Sequence, residues 1–201
     1  MTKKMRVYFL GSLAVVILMV AVPAMAQSEL RKVEIGGVMS YLNMSDFSGY
    51  PNQPAYGGRL TINLNRNVAL DSELNYLPIF SFSGGYRAKN GVQGLAGIKA
   101  GYRGKWLGVY GKVRPGAIYF RGLTEREVCA TVLPGSNACI PRNTTKAALD
   151  YGGVIEIYLG ERLMNRFDLG NTVIRFGNVN AGIPNFNRKG FQWSYGVGYR
   201  F

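Results

Sequence analysis

The sequence predicts an all-β fold, an eight-stranded antiparallel up-and-down transmembrane β-barrel preceded by a cleaved signal peptide, and three observations predict it. From Val33 to Phe201 the side chains alternate between apolar and polar with period two, the mark of strands whose two faces meet different surroundings. The connections between these segments are short and long by turns. No apolar stretch in the same region is long enough for a membrane helix. Composition agrees: 47% of the 201 residues are hydrophobic and only 17% charged, where about 25% is usual in soluble domains. The high Gly (27) and Tyr (13) content disfavours a helix bundle. Such a length suits a single domain, residues 27–201, after the leader.

The leader comes first. Residues 1–26 have the three parts of a secretory signal peptide: a basic start at Lys3, Lys4 and Arg6, an apolar run from Val7 to Val22, and Ala24-Met25-Ala26 as an A-x-A cleavage site. An uncleaved anchor would need roughly 20 residues to span the bilayer, and the run offers about 16, with Gly11 and Ser12 inside it. Cleavage leaves Gln27 first, with no Cys there to carry a lipid. It also removes three of the 24 cations and none of the 11 acids, for a net charge of +10. A basic exported chain points to anionic lipid or glycolipid headgroups; nucleic acid is not an expected partner in that compartment.

The strands follow in order. The first, 33–42, carries Glu34 on its polar face. The second, Tyr56–Asn65, sets Tyr56, Gly58, Leu60, Ile62 and Leu64 against Gly57, Arg59, Thr61, Asn63 and Asn65. Only Arg66-Asn67, a hairpin-length connection, separates it from the third, where Val68, Leu70, Ser72, Leu74 and Tyr76 oppose Ala69, Asp71, Glu73 and Asn75. The same alternation gives strands near 92–102, 106–118, 147–159 and 169–177. Leu169 and Ile174 have opposite parity in the seventh, which a bulge at Gly170-Asn171 would repair. The eighth is the clearest: Phe191, Trp193, Tyr195, Val197, Tyr199 and Phe201 alternate with Gln192, Ser194, Gly196, Gly198 and Arg200.

Connections 66–67, 103–105 and 160–168 are short, whereas 43–55, 78–91, 119–146 and 178–190 are long, the asymmetry of a bacterial outer-membrane barrel with its long loops outside. Ten residues at about 3.3 Å each, tilted roughly 40°, cover about 25 Å, the height of such a barrel's apolar band. Closure follows because an unpaired edge in lipid would forfeit several kcal/mol per backbone group. Aromatic residues gather at strand ends, with Tyr41, Tyr56, Tyr76, Phe176, Phe191 and Trp193 toward the long loops. Tyr102, Trp106, Phe167, Tyr199 and Phe201 lie toward the short turns, which completes two interfacial girdles. Cys129 and Cys139 in the third long loop read as a loop-closing disulfide in an oxidising compartment.

These features, with the ending Tyr195-Gly-Val-Gly-Tyr199-Arg-Phe201, resemble the small outer-membrane β-barrel superfamily that contains the OmpA transmembrane domain and OmpX. The resemblance implies residence in the bacterial outer membrane. It also implies that Trp193, Tyr195, Val197, Tyr199 and Phe201 form the terminal signal read by the barrel-assembly machinery. The sequence stops at Phe201, so a cell-wall-tethering role of the full-length OmpA kind is not carried over. The partners expected are outer-membrane lipid and lipopolysaccharide, with the chain as a monomer and its surface ligand unassigned.

With apolar faces toward lipid, Glu34, Arg59, Asp71, Glu73, Lys99, Lys112, Arg114, Asp150, Glu156, Arg175 and Arg200 point inward. An eight-stranded barrel is just wide enough for side chains to fill, so these charges are expected to pair and plug the lumen. Gly97, Gly101, Gly108, Gly196 and Gly198 would leave room for them. Cations in the long loops, Arg87, Lys89, Arg121, Arg126, Arg142, Lys146, Arg188 and Lys189, lie where outer-leaflet phosphates would be.

The chain has no histidine, which removes Ser-His and Cys-His pairs, imidazole acid-base chemistry and His metal sites. Asp71 and Glu73 are two carboxylates on one face, better suited to ion pairing among lumen cations than to acid-base work. No phosphate-binding or dinucleotide motif is present, and no metal or other cofactor is implied. The expected role is non-enzymatic, in envelope integrity or loop-mediated adhesion. A narrow porin-like channel for ions or very small solutes is the alternative, and a soluble ligand-binding barrel the third class.

Overall fold

The computed structural model describes residues 32–43, 53–78, 80–82, 86–123, 142–176 and 186–201. The leader and the Cys129/Cys139 pair lie outside the described residues. Eight strands close a barrel: β1 (Val33–Asn43), β2 (Gln53–Asn63), β3 (Val68–Leu77), β6 (Asn90–Arg103), β7 (Leu107–Leu123), β8 (Arg142–Leu159), β9 (Leu163–Phe176) and β10 (Phe186–Arg200). Between β3 and β6 stands a small separate hairpin, β4 (Phe80–Phe82) with β5 (Tyr86–Ala88). Each barrel strand pairs antiparallel with its sequence neighbours, and β1 closes on β10 from Glu34↔Arg200 to Asn43↔Phe191.

Burial is inverted relative to a water-soluble protein. The exposed faces hold Ile35, Leu60, Ile62, Leu70, Leu74, Ile98, Val109, Val113, Ile155 and Val197. The buried faces hold ion pairs and amides. A band of large apolar side chains this extensive is stable only against hydrocarbon. The aromatic ends match it: Tyr56 faces Tyr76 across β2–β3, Tyr41 stacks on Trp193 at 4.6 Å, and Tyr102, Trp106 and Phe201 stand exposed at the other end.

Two tight places require glycine. Gly160 opens the turn at 160–162 between β8 and β9 with φ 74°, and Gly122 has φ 63° at the irregularity between Phe120 and Leu123. The β6–β7 ladder is interrupted opposite Arg114-Pro115, where proline has no N–H to give. There a Cβ on Gly97 would lie 2.1 Å from the Val113 carbonyl oxygen, so the two backbones approach too closely for any side chain.

Three boundaries differ from the sequence expectation. The strands facing the long loops are taller, reaching Leu123 in β7 and starting at Arg142 in β8. The second long connection contains β4 and β5, because Phe80-Ser81-Phe82 and Tyr86-Arg87-Ala88 continue the alternation in the sequence. The seventh barrel strand, β9, begins at Leu163 and runs to Phe176 in unbroken register with both neighbours, so no bulge occurs at Gly170-Asn171. Leu169 therefore faces lipid and Ile174 faces the lumen, fully buried.

Candidate functional site: the charged lumen

Strand alternation delivers one inward side chain every second residue from all eight strands to a common axis, and the result is layered. Nearest the long loops is an apolar tier of Leu42, Leu77, Leu95, Ile118, Phe120 and Ile174, each at most 3% exposed. Beneath it come amides and hydroxyls. Asn75 Nδ2 donates to Gln93 Oε1 (3.1 Å) and to Glu73 Oε1 (2.7 Å), and Thr172 Oγ1 donates to Gln192 Oε1 (2.5 Å).

The middle tier is a web of arginines and carboxylates. Arg114 Nε donates to Asp150 Oδ2 (2.8 Å), while its Nη1 reaches Glu73 Oε2 (2.7 Å) and Asp71 Oδ2 (3.1 Å). Arg166 forks onto Asp71, Nη1 to Oδ1 and Nη2 to Oδ2, both 2.8 Å, and its Nε donates to Asp168 Oδ1 at 2.7 Å. Arg59 Nη2 bridges Glu73 Oε2 (2.6 Å) and Asp168 Oδ2 (2.8 Å). Lys112 Nζ lies 2.8 Å from Asp150 and 3.3 Å from Asp168. Thr61 Oγ1 donates to Asp71 Oδ1 (2.7 Å). Planar forks of this kind satisfy both carboxylate oxygens at once, which offsets the cost of removing the charges from water.

Toward the short turns the lowest tier mixes charge with phenol. Lys99 pairs with Glu156 and lies 3.5 Å from Glu34. Arg103 Nη2 donates to Glu34 Oε1 (2.5 Å), and its Nε reaches the hydroxyls of Tyr110 (3.1 Å) and Tyr158 (3.0 Å). Tyr158 in turn donates to Glu156 Oε2 at 2.9 Å, and Arg200 stacks over the Tyr158 ring at 4.5 Å. A Cβ on Gly108 would fall 2.5 Å from the Tyr158 oxygen and 2.6 Å from Tyr110 Cε2. Gly108→Ala is therefore expected to destabilise the barrel by about 1–3 kcal/mol in urea titrations. Gly111→Ala, on the lipid side with nothing nearer than 3.9 Å, should leave the midpoint unchanged.

In the middle and lowest tiers six cations, Arg59, Lys99, Arg103, Lys112, Arg114 and Arg166, pair with six acids, Glu34, Asp71, Glu73, Asp150, Glu156 and Asp168. Arg200 adds a seventh cation to the lowest tier. A cavity of about 10 Å³ beside Glu34, Arg59, Thr61, Arg166 and the glycines 36, 196 and 198 has room for about one water.

The structure places Glu34, Arg59, Asp71, Glu73, Lys99, Lys112, Arg114, Asp150, Glu156 and Arg200 inside. Arg175 corrects the expectation: it is exposed on the outer wall. The parity of β9 is set by Phe167 and Leu169 facing lipid, and Arg175 stands above the apolar band, where an outward cation meets headgroups. Sequence reasoning missed Arg103, Arg166, Asp168 and Lys146, all buried. Arg166-Phe167-Asp168 alternates as the other strands do, and that was the available signal. Lys146, assigned to a loop, is an inward residue of β8. Trp193, Val197 and Phe201 are exposed on the outer face of the final strand and its end, with Tyr195 and Tyr199 half-buried between them.

An apolar outer wall around a closed, ion-paired interior defines a membrane-embedded β-barrel. The chain belongs to the outer membrane protein beta-barrel domain family, whose profile matches residues 12–201. It is a protein of the bacterial outer membrane. Among solved structures it is similar to Neisserial surface protein A, with a TM-score of 0.50 at 13% identity over 84% of this chain and 96% of that one. The N-terminal β-barrel domain of Pseudomonas aeruginosa OprF gives a TM-score of 0.48 at 16% identity, covering 85% of this chain and 98% of that one. The attachment invasion locus protein Ail of Yersinia pestis gives 0.48 at 13% identity, with 85% and 97% covered. At these identities the likeness is one of fold. No curated protein sequence matches the chain.

Proposed function

We propose that this protein is a non-enzymatic, non-conducting outer-membrane barrel with a structural and surface-interaction role, its rigid wall holding the outer loops for envelope integrity or adhesion. The observation that carries this reading is the filled lumen: an apolar tier closes the outer mouth, and below it every buried acid is engaged by a cation. An ion entering would have to break forks such as Arg166–Asp71 and then shed its own water beside Leu77, Ile118 and Phe120. The carboxylate pair Asp71 and Glu73 is 1% and 3% exposed and engaged by arginines, which supports a structural use rather than acid-base chemistry. The outward ladder of Trp193, Val197 and Phe201 supports recognition by the assembly machinery.

The test is electrical. Purified protein reconstituted in planar bilayers is expected to show no stable unitary conductance. Reproducible single-channel steps would replace this reading with the narrow pore.

A further inference from the structure

The first and last strands close the barrel along a seam whose lumen side is nearly bare in its middle. Facing the axis, Glu34, Gly36, Val38 and Ser40 of β1 stand opposite Arg200, Gly198, Gly196 and Ser194 of β10. Three of the four central residues, Gly36, Gly196 and Gly198, are glycines, and the cavity of about 10 Å³ lies against them. Register is weakly specified where strands are rich in glycine.

A slide of one residue is forbidden, because it would turn one strand's lumen face to lipid. A slide of two residues keeps the faces. On the lipid side Tyr41 stacks on Trp193, and after such a slide it would meet Phe191 or Tyr195, which are aromatic too. Met39, opposite Tyr195, would meet Trp193 or Val197. The outer wall therefore does not choose between these registers.

The lumen does. Glu34 Oε1 accepts from Arg103 Nη2 at the end of β6. Arg200 Nη2 donates to the Gly160 carbonyl just past β8 at 2.8 Å, and its guanidinium lies 4.5 Å from the centre of the Tyr158 ring. The two anchors are themselves joined, Arg103 Nε donating to the Tyr158 hydroxyl at 3.0 Å. Glu34, Arg103, Tyr158 and Arg200 thus connect β1 to β10 by way of β6 and β8, across the lumen from the seam. A slide of two residues displaces β10 against β1 by roughly 7 Å, so Glu34 or Arg200 would have to leave its anchor. Both are buried, and a charge released there has no water to receive it.

We propose that Glu34, Arg103, Tyr158 and Arg200 form a register latch, which fixes the pairing at which the first and last strands close the barrel. The latch supplies the information that the glycine seam lacks. It is independent of conduction and of whatever the outer loops bind.

Oxidative cross-linking of cysteine pairs in the folded, bilayer-reconstituted barrel reads the register, with C129S/C139S as the background. M39C/Y195C reports the native pairing, while M39C/W193C and M39C/V197C report a slide in either direction. With the latch intact, the first pair should cross-link and the other two should not. Adding E34Q/R200Q should lower the ratio of native to slid cross-links roughly tenfold. R114Q removes a charge from the middle tier without touching the latch, and should leave the ratio unchanged. Folding is checked by heat-modifiable gel migration. An unchanged ratio in folded E34Q/R200Q, or an equal fall in R114Q, would overturn the proposal. Should the double variant not fold, R200Q and Y158F are read in its place: each should lower the ratio, and unchanged ratios in both would overturn the latch just as well.

Discussion

Replacing Arg114 with alanine is expected to lower the unfolding free energy of the barrel by about 3–5 kcal/mol in urea titrations from short-chain phosphatidylcholine vesicles. Arg114 hydrogen-bonds or closely pairs with three acids on two other strands, Asp71, Glu73 and Asp150, and lies 3.8 Å from a fourth, Asp168 of β9. Each retains another cation: Arg166 for Asp71, Arg59 for Glu73 and Lys112 for Asp150. No carboxylate is stripped bare, so the loss should fall near the lower end of that range. The network is nonetheless left with one negative charge too many in a site closed to water. Neutralising an acid in the same chain should then recover part of the loss, and Arg114→Ala with Asp150→Asn is expected to be more stable than Arg114→Ala alone. An unchanged midpoint for the single variant would show that the charges are solvated, and the plug would fail with it.

How far this interior could be read beforehand depends on depth in the membrane. Within the hydrocarbon band the wall faces oil and the lumen faces charges, so Leu60 against Arg59 or Val113 against Arg114 announces direction from residue type alone. Above the band the rule reverses. Ile174, Leu77, Leu95 and Phe120 turn inward to close the mouth, while Arg175 turns outward to the headgroups. A parity assigned from Ile174 therefore put Arg175 in the lumen and required a bulge that the unbroken β8–β9–β10 register does not contain. Starting β9 at Leu169 likewise hid Arg166 and Asp168, two members of the central web. The layering of the lumen was not legible, because it depends on which inward residues share a height, and that is set by strand stagger between chain segments far apart in sequence.

The same dependence on depth makes the lipid face testable with one strand. Leu60 lies midway between Tyr56 at the outer girdle and Leu64 just past the short-turn end of β2, and all three are exposed. Leu60→Arg puts a cation at mid-membrane and should cost about 2–4 kcal/mol. The identical change at Leu64, where the side chain can reach headgroups, should cost about 0–1 kcal/mol. A soluble barrel would tolerate both, since an exposed Leu in water is improved by charge. Spin labels at the two positions give the reason directly. Residue 60 should be accessible to oxygen and shielded from a water-soluble relaxation agent, with residue 64 intermediate. If arginine at 60 proved harmless and its label wet, the outer face would not be against acyl chains, and the inverted burial of the whole barrel would lose its physical cause.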